Sequence, residues 1–230
     1  MQSAVIVFPG SNCDRDVFTI MEAQALNPRM VWHDDASLPE GLDLVVLPGG
    51  FSYGDYLRCG AMAARSPIMQ DVIRFAERGG HVLGICNGFQ ILCESGLLPG
   101  TLMRNNHLKF HCKETMLRVE TNDSAFTSKY ARGEVINLPV AHAEGNYFTD
   151  AETLKALNDN HQIAFRYADA SGAVNAATNP NGACENIAGI TNKGKNVLGL
   201  MPHPERHSDP ALGGVDGARM FQSLLARFAA

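Results

Sequence analysis

The chain has 230 residues, 45% hydrophobic and 19% charged, which suits one globular domain spanning 1–230 with ample core. Its net charge of -5, with no run of Lys and Arg, argues against nucleic acid as a partner, because neutralising phosphates takes clustered cations. No apolar stretch approaches the roughly 20 residues that cross a bilayer, and six irregularly spaced cysteines define no disulfide framework.

Met1-Gln2-Ser3-Ala4-Val5 carries no basic segment, so no signal peptide is expected. The expected compartment is the reducing cytoplasm, which suits free thiols. Ala4 to Phe8 reads as a strand. Gly10-Ser11-Asn12 resembles a phosphate-binding turn, but Asp14 and Asp16 in the next helical turn would repel an anion, so helix capping is the expected role. Val17, Ile20 and Met21 mark one face of the following helix, and Met30 to His33 and Leu44 to Leu47 are strands. Ser66-Pro67 opens a second helix as cap and first-turn proline, and Gly79 ends it. Its Met69, Val72, Ile73 and Ala76 form a core-facing stripe. This alternation predicts an α/β fold built on a doubly wound, mostly parallel sheet.

The next strand, His81 to Ile85, runs into Gly84-Ile85-Cys86-Asn87-Gly88-Phe89-Gln90, and a short helix continues to Gly96. This is the spacing of a nucleophile elbow with cysteine in place of serine. Strand and helix cross closely there, so the positions two before and two after the nucleophile must be small, as Gly84 and Gly88 are. Cys86 would sit at a helix N-terminus, where backbone N–H groups and the macrodipole favour thiolate over a thiol that otherwise titrates near ~8.5. A lone cysteine is more often a small buried hydrophobe; the paired glycines weigh against that here.

In the C-terminal half the strands shorten, at Met116 to Val119, Val135 to Val140, Ile163 to Tyr167 and Ile187 to Ile190, and are expected to form an antiparallel extension. His107, His111 and Cys112 have ligand-like spacing, but no second pair completes a metal site, and none is expected in the chain. Gly189-Ile190-Thr191-Asn192-Lys193-Gly194-Lys195 approximates a phosphate loop, yet Asn196 stands at the Ser/Thr position and a strand comes next, so Asn192 to Lys195 reads as a hairpin turn. After the strand from Asn196 to Met201 comes Met201-Pro202-His203-Pro204-Glu205-Arg206. Its prolines are expected to hold the segment extended, placing Glu205 on the side of His203. Cys86, His203 and Glu205 then supply nucleophile, base and orienting carboxylate. Ala218, Phe221, Leu225 and Phe228 mark a closing amphipathic helix.

The elbow and His203-Pro204-Glu205 together resemble the class I, triad-type glutamine amidotransferases. The similarity extends through Phe8-Pro9-Gly10-Ser11-Asn12-Cys13-Asp14, the block from Pro48 to Gly60, Arg104 to Phe110 and Ala141-His142-Ala143-Glu144-Gly145. The Gly50 to Gly60 block, with Asn87 and Phe89, is most similar to a branch of stand-alone glutaminase subunits in purine biosynthesis. The resemblance implies hydrolysis of glutamine through a Cys86 thioester. It implies an oxyanion hole from the Asn87 N–H and the Gly49-Gly50-Phe51 loop, with Gly50 and Phe51 as candidate donors. It makes Gln90 a contact to substrate glutamine and His142 to Gly145 the facing pocket wall. The chain has no ATP motif of its own. The resemblance therefore implies a large synthetase subunit that binds ATP and magnesium and converts formylglycinamide ribonucleotide to the amidine, with a small accessory subunit beside it. Two other readings stand against this one: a peptidase-like or glyoxalase-like hydrolase with the same elbow, and an inactive amidotransferase-like binding module.

Overall fold

A computed structural model describes residues 1–228. The N-terminal half runs β1 (Ser3–Val7), α1 (Asp14–Ala23), β2 (Pro28–Trp32), β3 (Leu44–Leu47), α2 (Pro67–Glu77), β4 (His81–Ile85), α3 (Asn87–Glu94) and β5 (Thr101–Met103). The rest comprises β6 (His111–Val119), β7 (Val135–His142), β8 (Asn146–Phe148), α4 (Ala151–Asp159), β9 (Ile163–Tyr167), β10 (Ile187–Thr191), β11 (Val197–Leu200) and α5 (Ala218–Phe228). Nine strands form one sheet in the order β2-β1-β3-β4-β11-β10-β9-β6-β7, and β5 pairs with β8 apart from it.

The strands from β2 to β11 are mutually parallel. From β11 onward each pairing is antiparallel, which is the expected extension. All four residues of β3 and of β11 are buried, as continuous apolar runs covered on both faces must be. α1 packs on β1 and β2 and touches α5, while α3 lies against β3, β4 and β11. The parallel pairing of β4 with β11 matters most for the chemistry. It sets Ile85 opposite Leu200, so two segments more than a hundred residues apart leave the sheet side by side.

Several local expectations need correcting. β6 begins at His111 rather than Met116, because its outer half pairs with β7 as far as His142. β5 and β8 have three residues each, too short to alternate legibly. α4 buries only Leu157 and so shows no apolar stripe; Asp150 caps it, accepting from the Thr153 N–H at 2.8 Å. Ser66 precedes α2 but does not cap it, since its hydroxyl meets the Tyr53 hydroxyl at 3.1 Å. Gly10-Ser11-Asn12 does not cap α1 either: the N-cap position is Cys13, without a side-chain capping bond. The hairpin after Thr191 is as expected, with Lys195 at φ 54 turning the chain into β11. Among the described residues no helix is long and apolar enough to cross a membrane.

Candidate active site

Cys86 links β4 to α3 at φ 51, ψ -104, a conformation that costs a non-glycine residue on the order of 1–3 kcal/mol and is held only by its surroundings. Its N–H donates to the Leu200 carbonyl (2.8 Å), and its own carbonyl accepts from the Phe89 and Gln90 N–H groups (3.0 and 3.2 Å). A Cβ on Gly84 would stand 2.7 Å from the Gly88 carbonyl, and one on Gly88 would stand 1.9 Å from the Leu47 carbonyl oxygen. The crossing therefore requires both glycines. The N–H groups of Asn87 and Gly88, first in α3, lie beyond the reach of intrahelical carbonyls and face the Cys86 end.

β11 delivers His203 to this place. The expected extended segment is instead a single 3-10 turn over Pro204–Arg206, opened by a proline whose fixed φ suits a first helical position. The expected contact survives, because His203 Nδ1 lies 2.6 Å from Glu205 Oε1. Both side chains are almost wholly buried, and the His203 N–H is anchored on the Pro139 carbonyl at 2.8 Å. Nδ1 carries a proton toward the carboxylate, and Nε2 has no partner among the described residues. Burial by itself would depress the His203 pKa, but the charges of Glu205 and then Cys86 outweigh it and hold the pKa well above the ordinary value. The charged imidazole thus holds, next to the nucleophile, the proton that a departing nitrogen needs.

The glycine loop stands opposite. Gly50 has φ 140, and a Cβ there would lie 2.7 Å from the Asn12 nitrogen, so only glycine fits. Phe51 is a correction: its N–H donates to the Gly10 carbonyl at 3.1 Å and is not free for an oxyanion. The Gly50 N–H has no acceptor among the described residues and remains the loop's candidate donor. On α3 the Asn87 amide accepts from the Ser52 N–H (3.2 Å) and donates to Gln90 Oε1 (2.9 Å), while Gln90 Nε2 donates to the Glu144 carbonyl (2.8 Å). Gln90 is thus buried and tied to the wall it was expected to face.

That wall is the end of β7 and the residues after it. Cys86 Sγ lies 3.7 Å from the Ala141 carbonyl oxygen. His142 is buried, with Nδ1 3.1 Å from Asn105 Oδ1, an oxygen that also accepts from the Gly145 N–H. Burial, then His111 and His203, lower the His142 pKa to about 3, so this ring is neutral. His107 and Cys112 are exposed, as expected of surface residues, whereas His111 is half-buried in β6.

Sequence reasoning assigned no role to the pair behind the base. Cys13 is buried, and its Sγ accepts from Arg206 at 2.9 Å. Ligand atoms of Cys13, His203 and Glu205 lie within 4.8 Å of one another, a donor set suited to zinc. They do not fit a metal as they stand. The Arg206 guanidinium already supplies the cation there, and the 2.6 Å His203–Glu205 separation is a hydrogen bond, shorter than the roughly 3.3 Å between donors of a tetrahedral ion.

Residues 1–214 match the family of CobB/CobQ-like glutamine amidotransferase domains. The chain is 59% identical over 228 residues to phosphoribosylformylglycinamidine synthase subunit PurQ of Rhodospirillum rubrum, covering 98% of each chain. It is 57% identical over 227 residues to the subunit of the same name from Gloeobacter violaceus, covering 98% of this chain and 97% of that one. Among solved structures it is similar to PurLQS from Thermotoga maritima, with a TM-score of 0.87, 44% identity and 98% coverage of both chains. A glutamine amidotransferase from the same organism has a TM-score of 0.61 at 14% identity, over 98% of this chain and 96% of that one, a likeness of fold alone.

Proposed function

The chain belongs to the family of CobB/CobQ-like glutamine amidotransferase domains, and from that premise we propose that it is the glutaminase subunit of a phosphoribosylformylglycinamidine synthase, one amidotransferase domain over 1–230. The observation that carries this reading is the coincidence of full-length identity to PurQ subunits with a cysteine elbow beside a buried His203–Glu205 pair.

The Cys86 thiolate attacks the side-chain carbonyl carbon of glutamine, forming a C–S bond and a tetrahedral oxyanion. The Asn87 and Gly50 N–H groups receive that charge. As the C–N bond breaks, His203 gives its proton to the departing nitrogen, and ammonia leaves a glutamyl thioester. Water then attacks the thioester carbon while His203 takes its proton, and breakage of the C–S bond releases glutamate. Glu205 orients the imidazole and stabilises its charged form. Gln90 and the His142–Gly145 wall confine the substrate, with Gln90 exchanging its bonds to Asn87 and Glu144 for bonds to glutamine.

The ammonia is consumed on a partner synthetase subunit, where ATP and magnesium activate formylglycinamide ribonucleotide; a small third subunit completes the complex. The solved relative named PurLQS supports such an assembly. The compartment is the cytoplasm. A peptidase-like or glyoxalase-like hydrolase, or an inactive binding module, is less consistent with the identity over the full chain. The test is amidine formation by the reconstituted complex. Glutamine should serve as nitrogen donor, and Cys86→Ala should abolish that use while leaving synthesis from ammonium. Loss of both activities in an assembled complex refutes the division of labour.

A further inference from the structure

The Pro9–Cys13 loop is bonded on its two sides to different parts of the active centre. Toward the glycine loop, the Cys13 N–H and the Ser11 hydroxyl both donate to the Gly49 carbonyl at 3.3 Å. The Gly10 and Pro9 carbonyls accept from the N–H groups of Phe51 (3.1 Å) and Tyr53 (2.6 Å). Toward the base, Cys13 Sγ accepts from the Arg206 guanidinium. Arg206 Nε in turn lies 3.9 Å from Glu205 Oε1 and 3.5 Å from Asp16 Oδ2 on α1. Gly49 is pinched between the two: a Cβ there would stand 2.9 Å from His203 Cε1 and 3.2 Å from Cys13 Sγ.

Resting on the glutaminase reading above, we infer that Cys13 is a positioning residue, whose main chain and thiol together fix the separation between the Gly49–Gly50 donor loop and the His203–Glu205 pair. It touches neither substrate nor nucleophile in this role. The physical need is plain. The glycine loop and the Pro204–Arg206 turn are both irregular, so neither is held by a strand ladder or a long helix. Oxyanion stabilisation nevertheless depends on donors held close to their mark. Cys13 ties the two segments from inside the protein, at 2% exposure, reaching an arginine 193 positions further along the chain. The turn that resembles a phosphate site from sequence is thus the brace of the reaction chamber.

The test uses the full chain assembled with its synthetase partner and measures glutamine turnover. Cys13→Ala should lower kcat roughly tenfold to a hundredfold, the scale of a small misplacement of catalytic groups, with KM for glutamine near wild type. Cys13→Ser should recover most of that loss, because a hydroxyl still accepts from Arg206. Arg206→Gln should fall comparably, and the double variant no further than either single one, since both remove one tether. Ammonium-dependent synthesis should be unchanged throughout. Unaltered kcat in Cys13→Ala, a loss confined to KM, or additive losses in the double variant would overturn the assignment. Should Cys13→Ala not fold, wild-type kcat in Arg206→Gln overturns it as well. Absence of any Cys86-dependent turnover in the wild-type complex would instead refute the functional reading itself.

Discussion

Replacing Gly88 by alanine should damage stability and catalysis together, for a reason visible at one point of contact. The new Cβ would stand 1.9 Å from the Leu47 carbonyl oxygen and 2.7 Å from its carbon, where ordinary contact begins at 3.4 Å. Leu47 cannot yield, because it lies in β3, paired on one side with β1 and on the other with β4. α3 must therefore move away by at least about 1 Å, and by about 1.5 Å to restore ordinary contact, carrying Cys86 and the Asn87 N–H with it. Overpacking of this kind costs about 1–3 kcal/mol, which lowers Tm by about 2–4 °C per kcal/mol in a chain of this size. A shift of about 1 Å in the reacting groups costs about a hundredfold in turnover. Gly96→Ala is the control. Its φ is +78 with nothing within 4 Å of the added carbon, so alanine there meets only the left-handed penalty of about 1–2 kcal/mol. Denaturant unfolding and glutaminase kcat should be measured on both variants. Wild-type turnover in Gly88→Ala, or an equal loss of turnover in Gly96→Ala, would show that the elbow crossing is not what positions the nucleophile.

His203→Ala should lose far more turnover than Glu205→Gln, because the first removes the proton carrier and the second keeps a neutral acceptor near Nδ1; near-normal kcat in His203→Ala would require another base. A glutamine-like chloroketone should label Cys86 ahead of Cys59, Cys93 and Cys184, whose thiols burial pushes up, and peptide mapping at limiting reagent decides it. His142 has a folded pKa lowered from 6.5 to about 3, so its contribution is present above about pH 6.5 and lost as pH falls toward 3. Unfolding free energies across that window should show a steeper acid decline for the wild type than for His142→Gln, by on the order of a few kcal/mol. His203 has the opposite sign: raised by Glu205, it stabilises the fold fully below about pH 6.5, and the contribution fades as pH rises through its elevated pKa. Glu205→Gln should therefore flatten the alkaline decline in stability, and an unchanged profile would refute the pairing as its source.

What was legible in the sequence was what depends on near neighbours. The apolar runs at Leu44–Leu47, His81–Ile85 and Ile163–Tyr167 are strands with those bounds, because buried runs of four or five residues between turn signals need no distant information. Gly84 and Gly88 announce the elbow because the constraint that selects them is local to one crossing. His203 and Glu205 lie two residues apart, so their pairing survives even though the backbone between them turns rather than extends.

Only the tertiary structure decided which distant segments share the chamber. The parallel register of β11 on β4 brings His203 beside Cys86, and no spacing in the chain encodes that adjacency. The Cys13–Arg206 contact and the Gly10 carbonyl that occupies the Phe51 N–H both arise where loops pack on loops. A backbone N–H carries no mark in the sequence of whether it points at a carbonyl or at a substrate. That choice is made when every buried donor must find an acceptor at once, and it depends on the whole fold.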